Sequence, residues 1–304
     1  MKNTAFSITT HRTAIAQATV TVSKQETIEA IRDKVVGKGD LFEVSRVAGM
    51  FAVKRTSEVL PDAHHISIDF CEVRHRVDGL NILIDVEVQA LSRVGISTEA
   101  MHGASIAALA LFDGLKPVDK EVEITGIRLI KNRGGAEQYK DHLDREIKTA
   151  VVVCSDSISS GTKKDLAGKA IIEGLKKHAV EVNDYSIIRD EVEDIREKVI
   201  ALYDDKYDMV ILCGGTGLSP RDVTPEAVLP LLDREIPGIA EAARSFGQQH
   251  MPYAMLSRSV AGLKGNTLIL TLPGSTRGAE ETMDALFPFV LHIFKVALGR
   301  RHGE

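Results

Sequence analysis

The chain has 304 residues, 44% of them hydrophobic and 27% charged, with a net charge of -5 and a pI near 6.1. That length predicts two domains, each with its own core, and the acidic balance gives no electrostatic reason to expect nucleic acid or an anionic membrane as partner. An alternating strand is expected over 13–22, followed by a helix over 24–34. A second helix over 43–60 carries apolar residues at Val44, Val47, Met50, Phe51 and Val59. Strands over 66–76 and 81–90 flank Asp78-Gly79, a hairpin signal, and a helix over 97–115 leads to a last strand over 121–130. This order predicts an α+β, ferredoxin-like domain with helices on one face of an antiparallel sheet, in the split β-α-β arrangement. It contains no glycine-rich nucleotide loop.

Residues 131–142 have neither helical nor strand periodicity, so we place the first domain at 1–135, a solvated linker at 136–147 and the second domain at 148–304. In the second domain, strands at 150–154, 182–188 and 209–212 alternate with helices at 165–178 and 192–203. That alternation predicts an α/β, doubly wound, mostly parallel sheet whose ligand binds beyond the carboxyl ends of the strands. Cys71, Cys154 and Cys213 are too few and scattered for a zinc site or a disulfide framework, and lie in or beside apolar runs, so buried thiols are expected. Residues 1–17 hold no apolar stretch of signal-peptide length, which points to the cytoplasm.

The most informative segment runs from Cys213 to Ala227, CGGTGLSPRDVTPEA, directly after the apolar run 209–212. Gly214, Gly215 and Gly217 permit positive φ and close approach of backbone N–H groups to an anion. Thr216 adds a hydroxyl donor, Asp222 is placed to hold a hydrated Mg²⁺ on phosphates, and Thr224-Pro225 starts a helix. The same glycines would also serve a plain strand-to-helix turn. Arg221 is open to two readings, a ligand contact or a surface ion pair.

Taken together, these fifteen residues resemble the signature of molybdopterin adenylyltransferases, which activate the dithiolene pterin of the molybdenum cofactor with ATP. Three further segments resemble that family in order: residues 154–161, Cys154 to Gly161; residues 187–191, with Arg189-Asp190-Glu191; and Leu272-Pro273-Gly274-Ser275. The resemblance covers roughly residues 148 to 300. It implies phosphate contacts from Gly214, Gly215, Thr216 and Gly217, further substrate contacts from Asp156, Ser160, Gly161, Gly274 and Ser275, and Asp190 and Asp222 as catalytic acids or Mg²⁺ ligands. Mg²⁺ with ATP as co-substrate is then the expected cofactor requirement, with no tightly bound organic cofactor.

In the first half, Lys38-Gly39-Asp40, Lys54-Arg55-Thr56, residues 60–64, Thr98-Glu99-Ala100 and residues 112–116 resemble, in order, the blocks of cyclic pyranopterin monophosphate synthase. That enzyme rearranges a cyclised GTP derivative and releases pyrophosphate. The resemblance implies Lys38, Lys54 and Lys116 for charge neutralisation and proton transfer, His64, Glu99 and Asp113 as the remaining acid/base set, and Asp62, Ala63 and Thr98 against the substrate. Asp113 and Lys116 also lie three apart on one helical face, where a lysine keeps the carboxylate ionised; an ordinary surface ion pair has the same spacing.

The sequence departs from that family's pattern. It has Asp62-Ala63-His64-His65 for Leu-Cys-His-Pro, Ser97-Thr98-Glu99 for two glutamates flanking a methionine, and Ala136 where a lysine follows paired glycines. His65 and His102 are candidate substitutes. The reading is a bifunctional cofactor-synthesis enzyme, with an N-terminal oligomerisation or pterin-binding scaffold as the rival for the first half. Implied partners are pterin and nucleotide small molecules, further copies of the chain in a homo-oligomer, and other molybdenum-cofactor enzymes.

Overall fold

The computed structural model describes residues 1, 3–36, 39–139 and 145–296. By its internal contacts the chain divides into two compact units, 1–139 and 140–304. The first unit runs β1 (Thr10–Thr21), α1 (Gln25–Arg32), α2 (Leu41–Lys54), α3 (Thr56–Val59), β2 (Phe70–Asp78), β3 (Asn81–Ser92), α4 (Ser97–Leu115) and β4 (Glu123–Arg133). Its strands form one antiparallel sheet in the order β2-β3-β1-β4. Alternation with period two sends Ala14, Ala16, Ala18 and Val20 of β1, and Ile82, Ile84, Val86 and Val88 of β3, into a core shared with α4. The opposite face is polar: Gln17 Nε2 donates to Asp85 at 2.8 Å, and Arg74 pairs with Glu87 at 3.0 Å.

Helices α2 and α4 meet through small residues and run antiparallel. A Cβ on Gly103 would come 2.5 Å from Val53 Cγ2, one on Gly49 3.1 Å from Ala107 Cβ, and one on Gly114 2.5 Å from Leu41 Cδ2. The start of α2 therefore lies against the end of α4, and the end of α2 against its beginning. Two expectations need correction. The helix expected over 43–60 is broken at Arg55, whose φ of -112° and ψ of 14° leave the helical region, and it starts earlier because Asp40 caps it by accepting from the Glu43 N–H at 3.3 Å. The hairpin is present, but Asp78 pairs with Asn81, so the turn residues are Gly79 and Leu80, with Gly79 at φ 57°.

The second unit runs β5 (Thr149–Cys154), α5 (Asp156–Ser159), α6 (Ala167–Lys176), β6 (Val182–Ile188), α7 (Val192–Asp204), β7 (Met209–Cys213), α8 (Thr224–Val228), β8 (Arg234–Glu235), α9 (Pro237–Gln248), β9 (Ala261–Lys264), β10 (Thr267–Leu272) and α10 (Thr276–Leu286). The sheet order is β6-β5-β7-β10-β9-β8. The first four strands in that order are parallel, and β9 runs antiparallel to both of its neighbours, β10 and β8, so the sheet is mixed. Strand residues alternate between two cores. Val151, Ile211 and Leu268 pack towards α6 and α10, and Val152, Leu212 and Ile269 towards α7 and α8. Burial on both faces explains why these strands read as unbroken apolar runs. Arg145 and Ile147, inside the expected linker, belong to this unit's packing: Arg145 forks onto Asp208 with two bonds of 2.7 Å, and Ile147 is buried in the core.

Candidate functional site

Beyond the carboxyl ends of β5, β6, β7 and β10, four loops converge, and the glycines show how closely. Gly214, at φ 115°, carries its Cα where a side chain would overlap the Cys154 carbonyl oxygen at the end of β5. Gly215, at φ 60°, would place a Cβ onto Thr224 Oγ1 and 2.5 Å from Asp190 Oδ1. A Cβ on Gly217 would lie 2.9 Å from Asp222 Oδ2, and one on Gly274 3.0 Å from the Gly214 Cα. Bare backbone is thus required at these contacts, which is more than a plain turn asks for.

The acids divide by environment. Asp190 is buried, and its Oδ1 has no hydrogen-bond partner among the described residues. Burial, together with the nearby charges of Asp222 and Asp156, raises its carboxyl pKa to about 6. Asp156, in the first turn of α5, accepts from the Asp190 N–H at 3.2 Å and is ion-paired with Arg221, which holds its pKa low. Arg221 also reaches Glu191 at 3.2 Å, so this side chain ties together the loops after β5, β6 and β7. Asp222 accepts from the Ser219 N–H at 2.8 Å. Thr224, which starts α8, donates its hydroxyl to the Gly214 carbonyl at 2.9 Å.

A cavity of about 650 Å³ opens beside this cluster. Its lining combines the glycine loop, Asp222, Gly274 and Ser275 with the apolar side chains of Met251, Tyr253 and Leu256 and with Arg244 and Arg277. Ser275 caps α10 by accepting from the Gly278 N–H at 3.2 Å. Asp190 lies behind Gly215 and is not one of the lining residues. Ser160 donates to the Asp156 carbonyl at 2.8 Å, and Gly161 adopts φ 75°; both stay within the first loop. Among the described residues no three His, Cys, Asp or Glu side chains are grouped closely enough to cage a metal. Cys154 and Cys213 are buried free thiols with raised pKa, as burial dictates.

In the first unit, a cavity of about 360 Å³ is lined by residues 60–64, Ile66, Val94, Gly95, Thr98 and Glu99. It brings together Asp62, Ala63, His64, Thr98 and Glu99. Glu99 is buried, and Glu99 Oε2 and His64 Nε2 both lack a hydrogen-bond partner among the described residues. Burial raises the Glu99 pKa, opposed by its own backbone N–H and by His64. Lys54 ends α2 and is exposed; Lys38 lies outside the described residues.

Asp113 and Lys116 are elsewhere. They follow Glu99 on α4 by 14 and 17 positions, about 21 and 25 Å at 1.5 Å per residue. Their end of α4 abuts Leu41, next to the Lys38-Gly39-Asp40 block. His65 and His102 do not line the cavity: His65 Nδ1 meets Ser57 Oγ at 3.3 Å and His102 Nδ1 meets Thr56 Oγ1 at 3.1 Å.

Comparison with known proteins finds a different family model in each half of the chain. Residues 1–135 match the MoaC family, and residues 150–292 match the probable molybdopterin binding domain. A protein of Chlorobaculum tepidum called molybdenum cofactor biosynthesis bifunctional protein is 34% identical over 97% of this chain and 93% of its own length. The chain belongs to the family of bifunctional molybdenum cofactor biosynthesis proteins. It is thus an enzyme of molybdenum cofactor biosynthesis. Two further relatives match one half each. Cyclic pyranopterin monophosphate synthase of Thermomicrobium roseum is 38% identical over 41% of this chain and 76% of its own. Molybdopterin adenylyltransferase of Helicobacter pylori J99 is 35% identical over 50% of this chain and 89% of its own. No helix among the described residues is long and apolar enough to cross a membrane.

Proposed function

We propose that the C-terminal unit adenylylates molybdopterin with ATP, and that the N-terminal unit converts a cyclised GTP derivative to cyclic pyranopterin monophosphate with release of pyrophosphate. The carrying observation for the first reaction is the buried Asp190, its Oδ1 unpaired among the described residues, behind the positive-φ Gly214-Gly215 turn, with Gly215 and Asp222 lining the cavity. Loop amides and Thr216 bind phosphate, the apolar side chains receive a flat ring, and Ser275 with Gly274 bounds the second anionic group. The pterin phosphate attacks the α-phosphorus of ATP; the new P–O bond forms as the bond to pyrophosphate breaks. The residues serve chiefly to position and to neutralise charge. Mg²⁺ carried in with ATP would supply charge neutralisation; Asp222 on the cavity and Asp190 behind Gly215 are the carboxylates that would hold it, one or two acids being usual for a phosphate-bound Mg²⁺.

The buried Glu99 and the half-buried His64, which line one cavity with Oε2 and Nε2 unpaired among the described residues, support an acid/base site in the N-terminal unit, whose strand order we read as ferredoxin-like. Because Asp113 and Lys116 sit about 21 Å or more from Glu99 along one helix, one substrate meets both groups only if a second copy of the chain supplies one of them. We therefore read the protein as a homo-oligomer, working in the cytoplasm and handing its product to other enzymes of the same cofactor pathway. Ala63 in the cavity wall, where the synthase family has a cysteine, favours the scaffold reading of this unit as second choice. The full chain supplied with Mg-ATP and molybdopterin should form adenylylated pterin, and with the cyclised GTP derivative should release pyrophosphate. Failure of either reaction overturns that half of the proposal.

A further inference from the structure

We infer that Arg258 is a positioning residue, whose guanidinium shapes the glycine-rich loop so that its amides face the nucleotide and Asp190 is held in place. The inference rests on reading the cavity as a nucleotide site. Arg258 is not one of the cavity's lining residues, so it acts through the loop and not on the ligand. Its donors are spread over a single eleven-residue stretch, 216–226. Nε donates to the Gly217 carbonyl at 2.7 Å, Nη2 to the Asp222 carbonyl at 2.6 Å, and Nη1 is ion-paired with Glu226. The Arg258 backbone N–H donates to the Thr216 carbonyl at 2.9 Å.

Peptide geometry converts these bonds into a direction. In a trans peptide the C=O of one residue and the N–H of the next point opposite ways. Drawing the carbonyls of Thr216, Gly217 and Asp222 towards Arg258 therefore turns the N–H groups of Gly217, Leu218 and Val223 away from it. Gly217 and Leu218 line the cavity, and the Val223 amide bears on the Asp190 carboxylate, favouring its ionised form. Arg258 thus organises both the anion-binding amides and the support of the buried acid. Glu226 fixes the guanidinium, and α8 is itself anchored by Arg196, which donates to the carbonyls of Glu226 and Ala227 at 3.3 and 3.4 Å. A planar, rigid fork suits three acceptors at fixed angles, which an ammonium does not reproduce.

The test uses the full chain with R258A, R258K and E226Q. Two quantities are read: hydrogen exchange of residues 214–223 without ligand, and the dissociation constant for Mg-ATP. R258A should lose exchange protection in that segment and weaken Mg-ATP binding about tenfold or more. R258K should fall between R258A and wild type, and E226Q should shift both the same way by less. A folded R258A that leaves exchange unchanged overturns the inference, even if turnover falls, because a remote packing defect would lower turnover as well. If R258A does not fold, R258K and E226Q decide on the same readouts. Wild-type protein that binds no Mg-ATP overturns the nucleotide reading instead, while loop exchange still judges Arg258.

Discussion

The two units present the same chemical device on opposite kinds of scaffold. Each holds a carboxylate that is buried with an oxygen unpaired among the described residues, Asp190 in one and Glu99 in the other. In the C-terminal unit the supporting residues come from four chain-distant loops that parallel strands deliver to one end of a sheet. In the N-terminal unit the described candidates come from the end of α2, the segment 62–64 and the length of α4, so those at the far end of α4 are separated in space from the cavity. Strand ends gather residues; a 19-residue helix spreads them. On the proposed reading one site is complete within a chain, and the other is shared between copies.

The comparison breaks most sharply at Asp222. Asp222→Asn should lower adenylyl transfer by a hundredfold or more, as loss of one orienting or metal-binding group typically does, while pyrophosphate release by the N-terminal unit is untouched. Assays of both reactions on one folded preparation check this, and near wild-type adenylyl transfer would remove Asp222 from the site. Gly215→Val should abolish Mg-ATP binding in calorimetric titration. A branched side chain at φ 60° meets Thr224 Oγ1 and Asp190, so lowered thermal stability of the C-terminal unit should accompany the loss. Unchanged affinity would make the turn merely architectural.

Smaller effects of opposite sign should separate the units as pH changes. His75 lies beside Phe42, with Nε2 2.9 Å from Ser45 Oγ, which in turn donates to the Ala107 carbonyl at 2.8 Å. Burial lowers its pKa to about 4, against the pull of Glu43 and Asp40. A lowered histidine pKa means the fold favours the neutral ring, so this contribution is present above pH 6.5 and is lost as pH falls towards 4. Asp190 works the other way. Its raised pKa means that the fold favours the protonated acid, so its contribution is full below about 3.8 and lost as pH rises through about 6. Each effect is on the order of a few kcal/mol at most. Domain-resolved unfolding of His75→Gln and Asp190→Asn against wild type between pH 4 and 7 should flatten one dependence each. Parallel pH dependence in both variants would contradict the assignment.

Much of this was legible in the sequence, for reasons that differ by element. Helix α4 is read over its full length because its small and apolar residues recur at helical spacing, at Ala100, Gly103, Ala104, Ala107, Ala108, Leu111 and Leu115. Its length alone, at 1.5 Å per residue, already separates Glu99 from Asp113. The strands and glycine loop of the C-terminal site are local signals, and their convergence follows from the doubly wound pattern. The break at Arg55 was hidden because Val59 keeps the helical period beyond it, and the turn at Gly79-Leu80 because Asp78 remains paired. Strands β8 and β9 are only two and four residues long, too short for a period to register. Arg258 was invisible for another reason: it is 41 positions from the Gly217 carbonyl it binds, and nothing in an arginine announces a backbone partner at that distance. Arg221, open to two readings in sequence, is an ion pair with Asp156 and Glu191 here.

The claim that one site is complete within a chain and the other is shared is tested most directly by mixing inactive variants. Glu99→Gln and Asp113→Asn chains, each inactive in cyclic pyranopterin formation, are unfolded together, refolded and assayed beside wild type; Asp190→Asn and Asp222→Asn chains are mixed in the same way. Mixed Glu99 and Asp113 variants should regain a substantial fraction of wild-type N-terminal activity, because some interfaces receive both intact groups, and mixed Asp190 and Asp222 variants should regain no adenylyl transfer. Recovery in the second pair, or none in the first while the wild type is active, would contradict the account.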